Sequence, residues 1–385
     1  MPYISRPLPE YPCKEDMWDK LKNEKRPILI YGMGNGADKL ISRFEKYGIV
    51  FSDIFASDGF VRGHSYRGVR VKSFSEVRTF YSDFVIVLSF GSNRKDVIEM
   101  LAKIDKKYEM YVPDMPVCGE DEYFDREFYN KNYESICQAY FLLSDEESKS
   151  VFSSVVNYKL SGKLSYLLEN TATKDELYST LSHESIKTVI DAGAYNGDTV
   201  REAEKYFPNL ELVYAIEPDA KNFKKLSEYS KNSNIRIEAI NSGAWSECKS
   251  EMFISSGNRN SSVTSTASYK HSEREVSLIT LDSLGARNVD YIKYDVEGAE
   301  YDALVGSEEI IKSQRPEMLV SLYHRSRDIF SLPLYLSSKY ENYSFLLRRI
   351  LSVPAWELDL IMIPKKGDAA NENQKTRNSL PGGKF

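Results

Sequence analysis

Residues 188–198 read TVIDAGAYNGD. A β-branched, apolar run ends at Asp191, Gly193 and Gly197 let the backbone turn tightly, and a helical pattern begins at Asp198. Strand, glycine turn and helix in this order open a doubly wound α/β unit, in which a ligand lies across the turn. The free N–H groups and positive end of the helix suit a carboxylate, and Asp191 or Asp198 suits an ammonium group. Standing alone, the stretch is also compatible with a bare strand-to-helix turn that holds nothing.

Working outward, further strands are expected at Leu212 to Glu217, Ile235 to Ile240, Tyr291 to Asp295 and Glu317 to Tyr323. A late pair, Tyr343 to Arg348 and Leu358 to Ile363, predicts an antiparallel hairpin at the edge of the sheet. Upstream, Ile28-Leu29-Ile30-Tyr31 breaks into Gly32-Met33-Gly34-Asn35-Gly36-Ala37 ahead of a helical pattern over 38–47, and Phe84 to Ser89 is another buried strand. From about 121 to 170 glycines nearly vanish and aromatics such as Tyr133, Tyr140, Phe152 and Tyr158 recur at helical spacing. The expected fold is α/β, with two Rossmann-like domains joined by helices. These are an N-terminal domain over 1–120, a helical connector over 121–180 and a second domain over 181–365, with a polar, disordered tail over 366–385.

Composition narrows the partners. The net charge of −6 comes with no run of Lys and Arg interleaved with aromatics, so a nucleic-acid footprint is missing. The four cysteines, Cys13, Cys118, Cys137 and Cys248, are widely spaced without a CxxC pair, which argues against a disulfide framework and a cysteine zinc site and for a reducing, cytoplasmic setting. The first 25 residues lack the apolar run of a signal peptide, and no stretch approaches the ~18–20 apolar residues of a membrane span. A homodimer stays open.

Two further motifs carry chemistry. Glu217, in Ala215-Ile216-Glu217-Pro218, closes the second strand about twenty residues past the glycine turn, where an acid accepts both hydroxyls of a ribose. That placement suits NAD as well as any other adenosine ligand, and a plain helix-capping acid would look the same. In residues 290–300, DYIKYDVEGAE, a strand ends in Asp295, Glu297 and Glu300, and carboxylates at that end of an open sheet face the crevice. For Glu300 the simpler reading is an acid in the first turn of the next helix, satisfying its amino terminus.

The segments DAGAYNGDT (191–199), AIEPD (215–219), INSGAW (240–245), LITLDSL (278–284) and IKYDVEGAE (292–300), in this order, resemble the FkbM family of S-adenosylmethionine-dependent methyltransferases. The resemblance runs from about Thr188 to Pro364. It implies a class I methyltransferase fold and O-methylation of sugar or polyketide hydroxyls, in the making of bacterial surface polysaccharides or glycosylated natural products. It implies S-adenosyl-L-methionine as cofactor, with contacts at Asp191, Gly193, Gly197, Glu217 and around Ser242, Gly243 and Ala244; Tyr195 and Asp198 belong to the same turn. Catalysis is implied at Asp295, with Glu297 and Glu300 close by.

Methyl transfer is an in-line displacement that asks the protein to position a nucleophile and remove its proton. Asp295 is the first candidate base. His324, at the end of the next strand, is the second because imidazole titrates near neutral pH, although a structural histidine fits that place too. Asp295, Glu297 and His324 would also suit a divalent metal that orients a diol, a reading that is not favoured. The expected substrate is a sugar or nucleotide-sugar. The rival reading is a nucleotide-sugar oxidoreductase or binding protein that uses the GxGxxA turn at Gly32–Ala37 with Asp53 or Asp58 on a ribose. No Tyr-x-x-x-Lys pair accompanies that turn, which leaves dimerisation or substrate positioning as its alternative use.

Overall fold

The computed structural model describes residues 8–9, 11–61, 63, 65–119, 122–255 and 272–365. The tail expected over 366–385 lies outside the described residues.

Ile28–Tyr31 (β1), Asp53–Ala56 (β2), Lys72–Ser73 (β3), Val85–Leu88 (β4) and Glu109–Tyr111 (β5) form a parallel sheet in the order β3-β2-β1-β4-β5. β1, β2 and β4 are buried along their whole length, as expected of short apolar strands covered on both faces. The first glycine turn leads into Asn35–Tyr47 (α1), which stops at Gly48 in the left-handed conformation.

Two long helices follow, Arg126–Leu142 (α2) and Glu146–Ser161 (α3), each capped by an aspartate whose side chain accepts a first-turn N–H, Asp125 from Phe128 and Asp145 from Ser148. α3 is buried nearly all round, and its serines at 148, 150, 153 and 154 permit close approach on several sides. It connects the two units through packing. Ser148 Oγ accepts the backbone N–H of Leu347, Asp145 and Glu147 pair with Arg348, and Lys159 pairs with Asp114.

Thr188–Ala192 (β6), Leu212–Ile216 (β7), Arg236–Ile240 (β8), Tyr291–Tyr294 (β9), Glu317–Ser321 (β10), Tyr343–Arg349 (β11) and Leu358–Pro364 (β12) make the second sheet, ordered β8-β7-β6-β9-β10-β12-β11. β6 to β10 are parallel, and β12 runs antiparallel between β10 and β11. The expected pair of late strands is therefore present at the edge, with its second strand inserted against β10. Asp198–Tyr206 (α4), Ala220–Ser230 (α5), Glu300–Val305 (α6) and Asp328–Lys339 (α7) complete this α/β unit. Within the LITLDSL segment (278–284) the strand ends at Ile279; Thr280 Oγ1 accepts the N–H of Ser283 and caps a short 3-10 turn.

One apolar cluster crosses the expected boundaries at 121 and 181, while each sheet also keeps a core of its own. The shared cluster contains Leu29 and Ile86 of the first sheet, Val151 and Val155 of α3, and Ile190, Ile292 and Leu347 of the second. The reason is physical: a helix buried on every side needs neighbours on every side.

Candidate active site

The cleft opens at the carboxyl ends of β6, β7 and β9, where the strand order reverses. Gly193 has φ +97°, and a Cβ there would lie 1.9 Å from the carbonyl oxygen of Asp295, so the two strand ends approach only because residue 193 lacks a side chain. Its N–H and that of Ala194 donate to Ile216 O at 3.0 and 2.9 Å. Gly197, also left-handed, caps α4. Tyr195 sits between them at φ 48°, a conformation uncommon for a residue with a bulky side chain.

Glu217 joins the neighbouring loops. Its Oε2 accepts the N–H of Tyr195 at 2.9 Å and its Oε1 that of Asp219 at 2.7 Å. Burial pushes its pKa up to about 8, against the pull of these N–H donors. Gly243 and Ala244 line the cleft beyond it; Ser242 is buried beside them and is not part of the lining. On α5 Asn222 lines the same wall, and its buried Oδ1 has no hydrogen-bond partner among the described residues. Asp198 and Thr199 face the cleft at the start of α4. Asp191 stands behind them, 2% exposed, accepting the Thr199 hydroxyl, with burial pushing its pKa up to about 6 against the attraction of Lys293.

At the other end, β9 delivers Lys293, Asp295 and Glu297. Lys293 Nζ donates to Asp295 Oδ2 at 2.9 Å, and the Tyr323 hydroxyl donates to Oδ1 at 3.0 Å. Burial alone would raise the Asp295 pKa, yet the Lys293 ammonium and the His324 ring hold it well below the usual carboxylate range. His324 is fully buried. Its Nδ1 lies 2.9 Å from Glu300 Oε1, and its Nε2 lies 3.6 Å from both Asp295 Oδ1 and Glu297 Oε2. Burial would lower its pKa, but Glu300, Glu297 and Asp295 overcome this and push it up to about 10.

The ring is therefore charged at neutral pH and does not line the cleft, which removes the reason for reading His324 as a second base. Glu300 accepts the N–H groups of Val296 and Gly298, so it caps the turn before α6 and faces His324 at once. Among the described residues no group of three or more His, Cys, Asp or Glu side chains is arranged to hold a metal ion.

Lys293, Tyr323, Asn222 and Asp359 were not singled out from sequence. For two of them a signal existed. Lys293 interrupts Tyr291-Ile-Lys-Tyr294 and Asp359 interrupts Leu358-Asp-Leu-Ile361, each a lone charge in a buried strand.

The first glycine turn borders a separate cavity of about 280 Å³, lined by Asn35, Gly36, Ser89 and Phe90 and, from the β11–β12 loop, Pro354 and Trp356. Asp53 opens β2 beside Leu29, at the strand end away from the turn, and holds Lys72 and Tyr81. Asp58 lies at the correct end, with its carboxylate on the N–H and hydroxyl of Ser75.

Residues 191–347 match the Methyltransferase FkbM domain. The crystal structure of Methyltransferase FkbM from Methylobacillus flagellatus KT is similar over 88% of this chain and 90% of that one, at 18% identity and a TM-score of 0.64, a likeness of fold. An rRNA methylase from Streptococcus thermophilus matches over 50% of this chain and 92% of its own, at 14% identity and a TM-score of 0.31. Aeropyrum pernix fibrillarin, solved with natively bound S-adenosyl-L-methionine, matches over 47% and 67% at 12% identity and a TM-score of 0.31. No curated protein matches the chain.

Proposed function

From the premise that residues 191–347 are an FkbM methyltransferase domain, we propose that the protein is an S-adenosyl-L-methionine-dependent O-methyltransferase acting on a sugar hydroxyl. The observation that carries this is Glu217: a buried acid at the carboxyl end of the second strand, hydrogen-bonded to the glycine turn, where an adenosine ribose would lie. The orphaned Oδ1 of Asn222 is an unused acceptor on the same wall. The residues present fit the cofactor. Glu217 would hold its ribose, Gly193 to Gly197 and Ala244 would line its path, and Asp198 would take its ammonium group, since Asp198 reaches the cleft and Asp191 does not.

When bound, the cofactor supplies an electrophilic methyl group on a cationic sulfur. The cleft suits that charge, because its two lysines, Lys174 and Lys293, are ion-paired with Glu202 and Asp295 and its other charged linings are carboxylates. Glu297, Glu357 and Asp359 offer acceptors to a polyhydroxylated ring. The same field repels phosphate, so a nucleotide-sugar would enter with its diphosphate outside the cleft. A cytoplasmic role in building surface polysaccharide or a glycosylated natural product fits this substrate class.

Calorimetric titration with S-adenosylmethionine and its demethylated product tests the reading, beside Glu217→Ala and an NAD(H) control. Expected is micromolar binding to the wild type, weakened in the variant by about 100-fold, the loss of roughly 3 kcal/mol of hydrogen bonding to the two ribose hydroxyls. NAD(H) binding without S-adenosylmethionine binding would overturn it in favour of the first glycine turn.

A further inference from the structure

We propose that Asp359, on β12, is the group that removes the proton from the acceptor hydroxyl; the proposal rests on the methyltransferase reading above. Asp359 lies beyond the segment that matches the family model, and it lines the cleft together with Asp295, Tyr323 and Glu357. Asp295 is a poor proton acceptor in this setting. It is bonded to Lys293 and Tyr323 and faces the charged His324, so its negative charge is already neutralised by neighbours.

Asp359 has the opposite surroundings. Ser321 on β10 donates to its Oδ1 at 3.2 Å, and no cation lies within ion-pairing distance of it among the described residues. The charged groups around it are Glu357 on its own hairpin, Asp295 and Lys293 on β9, and Arg348 opposite it on β11, which is committed to Asp145 and Glu147. Tyr291 and Tyr323 also face it. Burial, with Glu357 and Asp295, pushes its pKa up to about 8, which matches a base working near neutral pH.

The proton step balances simply. As the acceptor oxygen bonds to the methyl carbon, the sulfur keeps the electron pair of the bond that breaks, and the hydroxyl proton passes to the Asp359 carboxylate, which becomes neutral.

The test is Asp359→Asn, which preserves shape and the Ser321 contact, measured for cofactor affinity by calorimetry, for turnover against pH, and for unfolding temperature against pH. Expected are unchanged cofactor affinity, turnover lower by about 100-fold or more, and loss of the wild-type rise in rate around pH 8. The unfolding temperature provides a readout independent of turnover. Because the native carboxyl holds its proton to higher pH than the unfolded one, the wild type loses stability as pH rises from about 4 towards 8, and the variant loses less. Wild-type turnover and pH profile in a variant that binds cofactor would overturn the proposal. Should Asp359→Asn fail to fold, Ser321→Ala takes its place: removing a donor to the carboxylate moves the inflection to higher pH, and an unmoved inflection overturns the proposal. A wild type that binds no S-adenosylmethionine would instead sink the methyltransferase reading itself.

Discussion

His324 and Glu300 show how a residue type visible in sequence takes its role from burial. An imidazole at a strand end suggests a base, but three carboxylates around a ring with no solvent access turn it into a fixed cation. What sequence omits is the distance between 295, 297, 300 and 324, since the last comes from a different strand. Lys293 was legible in principle, because a charge inside an apolar strand demands partners; which partners, Asp295 and the more distant Asp191, required the sheet register. The pH consequence has a definite sign. The His324 pKa is raised from the ordinary imidazole value of 6.5 to about 10, so its stabilising contribution is complete below pH 6.5 and is lost as pH rises through 10. Replacing it as His324→Gln should cost about 3–5 kcal/mol at pH 7, because Glu300 stays buried without its cation. Chemical denaturation at pH 7 and pH 10 checks both statements. An equal cost at the two pH values would show that the ring is neutral.

At the scale of elements, the strand-turn-helix openings and the late hairpin were readable because burial on both faces makes a strand a short unbroken apolar run. β12's insertion between β10 and β11 was not, since the order of strands is a long-range property that no local period encodes. The glycine turn illustrates the difference. Its two glycines announce a tight bend, but only the structure shows that Gly193 is also where the backbone of Asp295 crosses, while Gly197 packs under Tyr229 and Leu226. Gly193→Ala is therefore expected to be severe, costing about 3 kcal/mol or more from strain at positive φ together with displacement of the Asp295 loop. Gly34, at φ +89° and ψ −159° in backbone space nearly reserved to glycine but with open space around it, should cost about 1–3 kcal/mol as alanine. Thermal unfolding of both variants, with cofactor titration of Gly193→Ala, separates the two; similar losses would mean that the crossing at Asp295 relaxes easily.

The whole molecule is held together by segments that sequence reads as connection. α3 looks like a linker because it lies between two glycine turns, yet it is buried on all sides and supplies hydrogen bonds and ion pairs to β11. Nearer the cleft, Cys118 N donates to His324 O at 3.0 Å and its thiol to Glu297 O at 2.9 Å, so the segment leaving the first unit braces the turn that carries Glu297. The β11–β12 loop closes the other side. Val353 exchanges backbone hydrogen bonds with Ser92 at 2.7 and 2.9 Å, and a Cβ on Gly91 would lie 2.3 Å from the Trp356 ring. A chain beginning at residue 181 would consequently leave Phe345 and Leu347 uncovered, strip Arg348 of Asp145 and Glu147, and remove the brace at Cys118. Burial of those two side chains alone is worth about 3–6 kcal/mol. Such a chain should aggregate or unfold roughly 10 °C or more below the whole protein, while the whole protein should give a single calorimetric transition, because one apolar core runs through both sheets. Two well-separated transitions in the whole chain, with the later one reproduced by the shortened chain, would mean that the second sheet folds alone and that α3 only rests against it.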